Sequence, residues 1–342
     1  MLRTLGYNRR GSKLHMYVIT GGAGFIGSNV VAALAALSAD VVVCDWLRSD
    51  ERWRNLAKHE IAAIVAPEEL LRWLGDNRTS VEAVIHMGAI STTTESDVDA
   101  IVANNVRATL DLLRWCTESG TRLIYASSAA TYGSGADGFD DVFSTDALAR
   151  LRPLNAYGWS KHLVDRRIAR LVERSSPLPP QWVGLKFFNV YGPNEYHKGS
   201  MQSVIAKNFA RVQEGQALSL FRSRRADYPD GGQLRDFIYV QDCVDVILWL
   251  LDQPRVCGLF NLGTGKARPW TDLANALFDA VERPRKIEFT DMPAALADKY
   301  QYFTEARVGR LRQAGYDRPF TSLEEGVSKY VRNYLATNDP YA

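Results

Sequence analysis

The chain has 342 residues, of which 46% are hydrophobic and 23% are charged, and its formal net charge at pH 7 is +2. This length gives ample core for one large domain or two closely joined ones, and the charge neither favours nor excludes a charged partner. We expect no membrane span, because every apolar run is interrupted before about 18 residues. We expect no nucleic-acid partner, because no basic stripe carries interleaved aromatic residues.

The cysteines and the amino-terminal segment indicate a reduced, cytoplasmic protein. The four cysteines are Cys44, Cys116, Cys243 and Cys257. They show no C-x-x-C spacing and no nearby histidine at metal-ligand spacing, so we expect core thiols rather than disulfides or a metal site. Residues 1–15 are basic but lack the apolar stretch of a signal peptide, and we predict a disordered extension before a first strand at Met16.

Short apolar runs alternate with helical patterns in the first part of the chain. Strands are predicted at 16–20, 41–44, 81–86, 123–127 and 182–189, and helices at 25–37, 99–118 and 157–173. Strands that alternate with helices indicate βαβ units. The sequence therefore predicts an α/β fold with a Rossmann-type, doubly wound parallel sheet.

The pattern changes after Pro193, where loops rich in Gly, Arg and Pro separate isolated strands. A helix predicted over 242–252 and a strand predicted over 258–262 would still fit onto the sheet. We therefore predict a dinucleotide-binding domain and a smaller, discontinuous α/β substrate-binding lobe. The domain is formed by 16–189 plus 236–265, and the lobe by 190–235 plus 266–335.

A glycine-rich loop lies between the first strand and the first helix. Gly21, Gly24 and Gly27 form a Gly-x-x-Gly-x-x-Gly pattern there. A side chain at these positions would block the tight turn and the approach of a pyrophosphate to the backbone, while the helix amino terminus offers free N–H groups to phosphates. The pattern is common by itself, but its place between an apolar strand and an amphipathic helix predicts a dinucleotide site.

An acid ends the second predicted strand. Asp45 is placed to bind the adenosine ribose, and an acid there usually favours NAD because it repels a 2′-phosphate. Arg48, Arg52 and Arg54 follow, and they either neutralise such a phosphate or form a solvated helix start. These residues alone leave the choice between NAD and NADP open.

A tyrosine and a lysine share one face of a predicted helix. Tyr157 and Lys161 are four residues apart, and an ammonium beside a phenol stabilises the phenolate and lowers its pKa. The same ammonium can bind the nicotinamide ribose. Ser128 follows a predicted strand and could hydrogen-bond the reacting oxygen. Such a pair also arises by chance on surface helices, but together with the glycine loop it predicts catalysis.

This combination resembles the extended short-chain dehydrogenase/reductases of the NAD-dependent epimerase/dehydratase family, over nearly everything after Met16. Four stretches are most similar to the ADP-L-glycero-D-manno-heptose 6-epimerases, which supply heptose for the lipopolysaccharide core. They lie at 86–95, 125–133, 188–201 and 300–304. The resemblance implies bound NADP, with NAD as the alternative, a small-molecule nucleotide-sugar substrate and a ring-like homo-oligomer such as a pentamer.

The chemistry implied by the resemblance is inversion at C6″ of ADP-D-glycero-D-manno-heptose by transient oxidation and re-reduction. Tyr157 or Lys198 removes the proton of the C6″ hydroxyl, and the 6″-ketone is reduced on its other face. Two faces of one carbon need proton transfer on two sides, so we expect a second base on a mobile loop opposite Tyr157, and Lys198 is the candidate. The alternatives for Lys198 are a solvent-facing lysine or a phosphate contact.

The resemblance also implies two sets of binding residues. The cofactor set is Gly21, Gly24, Phe25, Ile26, Gly27, Asp45, Trp46, Arg52, Met87, Gly88, Ala89, Ser91, Asn104, Lys161 and Val190. The substrate set is Ser128, Asn189, Lys198, Ser200, Lys207, Phe221, Arg235 and Tyr300. A guanidinium can clamp a pyrophosphate at two points, which suits Arg235, although a solvated loop charge is the alternative.

The chain departs from the family pattern at several positions. Pro67 replaces a common lysine, Arg52 replaces another, and Lys207 replaces a histidine. The loop 221–235 is longer and more basic than usual, with Arg222 in place of an acid. These changes leave NADP favoured but affect the residues expected to contact the nucleotide.

Two other functions compete with this interpretation. An epimerase or dehydratase acting on another nucleotide sugar would use the same hydride chemistry, although a 4,6-dehydratase usually carries an acid pair where this chain has Ala129 and Ala130 after Ser128. A non-catalytic regulator that senses the cofactor could share the fold. Such regulators commonly lose the tyrosine or lysine, whereas this chain keeps Tyr157 and Lys161.

Overall fold

The computed structural model describes residues 16–293 and 300–342, so the extension predicted for 1–15 lies outside the described residues. The strands, numbered in chain order, are β1 Met16–Thr20, β2 Asp40–Cys44, β3 Ala63–Val65, β4 Val81–His86, β5 Arg122–Ser128, β6 Trp182–Phe187, β7 Asn189–Tyr191, β8 Leu218–Phe221, β9 Leu234–Tyr239, β10 Gly258–Leu262, β11 Ala267–Pro269 and β12 Ile287–Thr290.

The helices connect and cover these strands. The α-helices are α1 Phe25–Ala36, α2 Leu70–Asp76, α3 Val98–Ile101, α4 Ala108–Ser119, α5 Thr145–Arg150, α6 Ala156–Glu173, α7 Val204–Gln213, α8 Val240–Asp252, α9 Trp270–Ala280, α10 Gly309–Gln313 and α11 Leu323–Tyr330. Short 3-10 turns cover Glu51–Asn55, Pro67–Glu69, Ala129–Tyr132 and Tyr196–Met201, and π-helical segments cover Val102–Arg107 and Val331–Leu335.

Seven parallel strands form the central sheet, in the order β10-β6-β5-β4-β1-β2-β3. This is the doubly wound Rossmann-type sheet that the sequence predicted. The strand order reverses between β1 and β4, so the connections leave β1 and β4 towards opposite edges. Ligands of such sheets bind in the crevice at the carboxyl ends of the strands near this reversal.

Both faces of the sheet are buried, and β1 illustrates the alternation. Tyr17 and Ile19 face a core that contains residues of α1 and α8, whereas Val18 faces a core that contains residues of α4 and α6. Successive side chains of a strand point to opposite faces, so one apolar run supplies both cores. Each fully buried aliphatic side chain contributes about 1.5–3 kcal/mol, so this sheet is a firm base for the loops at its edge.

The second lobe is built on two small sheets. One has the order β11-β9-β7 and the other pairs β12 with β8. They pack with α7 and α9 around a separate core that includes Phe209 and Leu277. The strand predicted over 182–189 is two strands, because the chain leaves the central sheet at Phe188, whose N–H donates to the carbonyl of Leu262. The domain boundaries stay a prediction.

The cysteines differ from the prediction in one respect. Cys44, Cys116 and Cys243 are buried, but Cys257 is exposed in the turn before β10, so it is not a core thiol. Within 16–293 and 300–342, no helix is long and apolar enough to cross a membrane. The same residues contain no group of three or more His, Cys, Asp or Glu side chains that could hold a metal ion.

Candidate functional site

A cleft of about 1060 Å³ opens at the carboxyl ends of the central strands. Most of the predicted site residues line it: Gly21, Gly24, Phe25, Ile26, Gly27, Asp45, Trp46, Arg52, Met87, Gly88, Ala89, Ser91, Asn104, Ser128, Tyr157, Lys161, Asn189, Val190, Lys198 and Lys207. Among the described residues, four predicted members of the substrate set are absent from its lining: Ser200, Phe221, Arg235 and Tyr300. The crevice expected from the sheet topology is therefore also where the sequence motifs meet.

The glycine loop is packed too tightly for side chains. Gly21 has φ +64°, and a Cβ there would lie 2.6 Å from the Cα of Gly88, while a Cβ on Gly27 would overlap the carbonyl oxygen of Gly21. Gly24 precedes α1, whose first turn receives no capping hydrogen bond from that residue's side chain. The glycines leave the backbone open to close approach, and the amino terminus of α1 faces the cleft, which fits the pyrophosphate of a dinucleotide.

An acid and an arginine lie together at the end of β2. The Asp45 carboxylate accepts the Ala23 N–H at 3.0 Å, and burial raises the pKa of Asp45. Arg52 Nη1 lies 3.9 Å from Asp45 Oδ1, and the same guanidinium donates to both carboxylate oxygens of Asp50, at 2.7 and 2.6 Å. A buried carboxylate and an arginine held by Asp50 are thus side by side at the end of β2.

A buried histidine, His86, links the end of β1 to α4 through hydrogen bonds. The Gly88 N–H donates to Thr20 Oγ1 at 3.1 Å, and Thr20 O–H donates to His86 Nδ1 at 2.6 Å. Thr109 O–H donates to the Asn105 carbonyl at 2.7 Å, so its oxygen accepts from His86 Nε2–H at 2.9 Å. Burial lowers the pKa of His86 to about 3, so the imidazole is neutral and holds one tautomer.

Asn105 continues this network to α6, which carries Tyr157 and Lys161. Its amide accepts the Ile90 N–H at 2.8 Å and donates to the Ile90 carbonyl at 2.9 Å and to Ser160 Oγ at 3.0 Å. Ser160 Oγ donates to the Tyr157 carbonyl at 2.7 Å. Asn105 was not predicted from the sequence, although two adjacent asparagines inside a helical pattern indicate polar side chains with hydrogen-bonding partners. Its predicted neighbour Asn104 lines the cleft and donates to the Ala100 carbonyl.

The tyrosine and lysine predicted for catalysis project from the first turns of α6. Asn155 caps the helix by accepting the Gly158 N–H at 2.8 Å. Burial raises the pKa of Tyr157 and a hydrogen bond with Ser128 opposes that shift, so the lowering by Lys161 that the sequence predicts is not found. Burial lowers the pKa of Lys161 to about 8, against the charge of Asp165. The Lys161 ammonium has no hydrogen-bond partner in the described chain, so a donor is available where a ribose hydroxyl would fit.

The loop that carries Lys198, the second candidate base, packs on Phe25, the first residue of α1. Lys198 Nζ lies 5.0 Å from the centroid of the Phe25 ring, and burial lowers the pKa of Lys198 while Glu195 opposes this. Glu195 is itself buried and accepts hydrogen bonds from Ser203 Oγ at 2.7 Å and from the Tyr330 hydroxyl at 3.1 Å. Lys198 is therefore a partly buried cation on a fixed loop, which makes a purely solvent-facing role wrong.

The predicted substrate residues Arg235 and Tyr300 form one stack. The Arg235 guanidinium lies 4.9 Å from the Tyr300 ring and 6.0 Å from the Trp270 ring, and it donates to the Gln301 carbonyl. Arg235 is only 6% exposed, so it is not a solvated loop charge. Trp270 and Gln301 line the cleft, which puts this stack next to the cleft lining.

The remaining two members of the substrate set have other partners. The Ser200 carbonyl accepts from Lys207 Nζ, and Phe221 is the last residue of β8. The basic segment that follows β8 carries a second stack, in which the Arg225 guanidinium lies 5.2 Å from the rings of both Tyr228 and Tyr302. This long loop is thus held against the stretch 300–304.

The comparisons with known proteins agree with this geometry. The model of the NAD dependent epimerase/dehydratase family matches residues 17–263. An ADP-L-glycero-D-manno-heptose-6-epimerase of Nitratidesulfovibrio vulgaris is 51% identical over 332 residues, covering 95% of this chain and 100% of that protein. The enzyme of that name from Fusobacterium nucleatum is 43% identical over 335 residues, with coverage of 95% and 100%.

Solved structures are similar over most of the chain. The crystal structure of the Helicobacter pylori ADP-L-glycero-D-manno-heptose-6-epimerase has a TM-score of 0.75 and 26% identity, covering 94% of this chain and 96% of that one. The Thermus thermophilus UDP-glucose 4-epimerase in complex with NAD has a TM-score of 0.72 and 26% identity, covering 92% and 97%. The similarity thus extends through both lobes.

Proposed function

The chain belongs to the NAD dependent epimerase/dehydratase family, and from this premise we propose that it converts ADP-D-glycero-D-manno-heptose to the L-glycero epimer. The observation that carries the proposal is 51% identity along the whole length of an ADP-L-glycero-D-manno-heptose-6-epimerase. The cleft supports it, because a glycine loop for phosphates and a Tyr-Lys-Ser group for proton transfer line the same space. The product would supply heptose for the lipopolysaccharide core.

The proposed reaction inverts C6″ without net oxidation. A bound nicotinamide cofactor supplies a reversible hydride acceptor, so that the carbinol carbon can become a ketone and then be reduced on its other face. Lys161 holds the cofactor through its free ammonium, and Ser128 donates a hydrogen bond to the reacting sugar oxygen. Tyr157 removes the hydroxyl proton at one face and returns it when the reaction runs backwards.

The second face of the carbon needs its own proton donor or acceptor, and we assign that role to Lys198. Lys198 and Tyr157 line one cleft from different segments of the chain. Burial lowers the pKa of Lys198, which brings the neutral amine closer to the working pH range. The Phe25 ring beneath Lys198 and the Glu195 carboxylate keep its loop in place beside the cofactor site.

We propose NADP as the cofactor, with Arg52 as a ligand of the 2′-phosphate. Replacing Arg52 with alanine is expected to weaken NADP binding about 10- to 100-fold, because charge-assisted hydrogen bonds contribute roughly 1.5–3 kcal/mol. NAD binding should change little. Fluorescence titration of the reduced cofactors into purified protein measures both affinities.

Arg54 provides the matched control for this experiment. Its guanidinium pairs with Glu51, both side chains are exposed, and it does not line the cleft as described. Arg54→Ala should leave both affinities unchanged. Equal losses of NAD and NADP affinity in Arg52→Ala would instead assign Arg52 to the integrity of the ribose pocket.

The substrate is tested directly by proton NMR on purified protein with ADP-D-glycero-D-manno-heptose and catalytic NADP. We expect the L-glycero epimer to appear without net reduction of the cofactor. Protein that binds NADP yet leaves the heptose unchanged would contradict the proposed substrate. UDP-, GDP- and dTDP-sugars would then be tested, because the Arg225 stack on Tyr228 and Tyr302 gives this chain a distinctive loop beside the site.

We further propose a homo-oligomer, with a pentamer as the family expectation, that acts in the cytoplasm on this small-molecule substrate. The resemblance to the heptose epimerases supports the assembly, and the free cysteines are consistent with a reducing compartment. A cofactor-sensing regulator is the less supported alternative, because Ser128, Tyr157 and Lys161 all line the cleft.

A further inference from the structure

A buried ion pair lies next to the catalytic group, outside the cleft lining. Lys186 Nζ lies 3.1 Å from Asp165 Oδ2, and both side chains are 0% exposed. Neither residue belongs to the cleft lining as the structure describes it. Burial of two charges is costly even when they pair, so stability alone is a weak reason for such a pair. Its contacts indicate another role.

Asp165 shares a helix with the catalytic lysine and forms hydrogen bonds with β5, the strand that carries the serine. It follows Lys161 by four residues on α6, so the two side chains share a helix face. Its carboxylate accepts hydrogen bonds from Ser127 Oγ at 2.7 Å and from the Tyr125 hydroxyl at 3.2 Å. Its charge raises the pKa of Lys161, against the lowering by burial.

Lys186 completes the link to Ser128. It lies on β6 in register with Ser127 of β5. Its ammonium donates to Thr131 Oγ1 at 2.5 Å, and Thr131 Oγ1 donates to the Ser128 carbonyl at 2.8 Å. The ammonium also lies 4.6 Å from the centroid of the Tyr132 ring. It therefore balances the Asp165 charge and holds the turn that begins at Ser128.

We propose that Asp165 and Lys186 are positioning residues of the epimerisation: Asp165 acts on Lys161 from the next turn of α6, and Lys186 balances the charge of Asp165 and orients Ser128. This inference rests on the proposed function for its catalytic meaning. Asp165 is paired with Lys186 at 3.1 Å and lies one helical turn from Lys161, whose charged form it favours. The Lys161 ammonium has no hydrogen-bond partner in the described chain and lines the cleft, whereas Asp165 does not line it, so the ammonium stays available to the cofactor.

Few titratable groups of the described chain interact with Asp165. The titratable groups that interact with Asp165 are Lys161, Lys186, Tyr125, Tyr132 and His162. His86 also interacts with Lys161, but it is neutral, because burial lowers its pKa to about 3. Among the described residues, Asp165 is the negative charge that raises the pKa of Lys161, and removing it should change how Lys161 titrates.

The test is the pH dependence of cofactor affinity in Asp165→Asn, measured by fluorescence titration without any sugar. In the parent protein, affinity should fall above about pH 8, where Lys161 loses its proton. Without the carboxylate this alkaline limb should move down by about one pH unit or more, a loss of about 10-fold in affinity at pH 9. An unmoved limb would overturn the proposal.

Two further variants separate charge from folding. Asp165→Asn combined with Lys186→Met removes both charges together, so it should recover thermal stability lost in Asp165→Asn, and its alkaline limb should lie between that of Asp165→Asn and that of the parent. Recovery of the parent limb in that double variant would show a merely structural pair and overturn the proposal. Asp165→Glu keeps the charge and should keep the parent limb even if stability falls, and a shift there would also count against us.

The design distinguishes this inference from the proposed function. Cofactor titration needs no assumption about the sugar, so a shifted limb supports the role of Asp165 towards Lys161 even if the heptose is not turned over. In the NMR assay with an active parent, Lys186→Met should lower kcat more than it raises KM, because Ser128 acts on the reacting oxygen. A change confined to KM would overturn the assignment of Lys186.

Discussion

Replacing Tyr157 with phenylalanine is expected to lower the rate of heptose epimerisation by about 10²- to 10⁴-fold, the usual contribution of a positioned acid–base group. The ring that lines the cleft is kept, and only the hydroxyl that forms a hydrogen bond with Ser128 is lost. Cofactor affinity should therefore stay near the parent value. Initial rates by proton NMR and titration of the reduced cofactor measure the two quantities.

Lys198→Met is the counterpart for the other face of the sugar carbon. Each variant should block overall inversion, yet each should still oxidise one of the two epimers in a single turnover, and the two variants should prefer opposite epimers. Absorbance of the reduced cofactor after mixing with each pure epimer reports this preference. A Tyr157→Phe protein that interconverts the epimers at the parent rate would remove Tyr157 as a main base.

Replacing Lys161 with methionine should abolish measurable epimerisation and weaken cofactor binding by at least about 10-fold, because the unpartnered ammonium in the cleft is the proposed ribose donor. The apo protein, in contrast, should become more stable at neutral pH. Burial lowers the pKa of Lys161 from 10.5 to about 8, so folding disfavours its charged form. This penalty is on the order of 3 kcal/mol at roughly 1.4 kcal/mol per pKa unit.

The sign of the pH dependence follows from proton binding. Between about pH 8 and 10.5 the unfolded chain holds the Lys161 proton and the folded chain does not, so the parent gains stability as pH rises through this window. The advantage of Lys161→Met should be full below pH 8 and should vanish towards pH 10.5. Thermal unfolding of the two apo proteins across this range measures it. A lower melting temperature for the variant at neutral pH would contradict the proposed cost of the buried charge.

The parts of the site that sequence analysis identified are those encoded over short stretches. The turn at Gly21 and the helix that follows it are adjacent in sequence, and Tyr157 and Lys161 are one helical turn apart. Asp45 was found because parallel strands end at the same sheet edge. In each case the spacing of residues within one element, or the order of two elements, determines the geometry.

The contacts that support the site were not predicted from the sequence, because they join segments that are distant in the chain. Lys186 meets Asp165 only after β6 pairs with β5, and His86 meets Thr109 across the face of the sheet. Lysine inside an apolar strand is itself a signal, but its partner cannot be chosen without the strand register. The break at Phe188 was likewise hidden, because the apolar run continues through it while the hydrogen bonds pass from one sheet to another.

The position of β10 at the edge of the central sheet bears on how the nascent chain folds during translation. β6 is buried along its whole length and has β10 as its outer neighbour, yet β10 is synthesised only after β7, β8, β9 and α8. Until then β6 is an open, apolar edge of the kind that pairs with other chains. The folding of the two lobes is therefore coupled, because the central sheet cannot be completed before much of the second lobe has been synthesised.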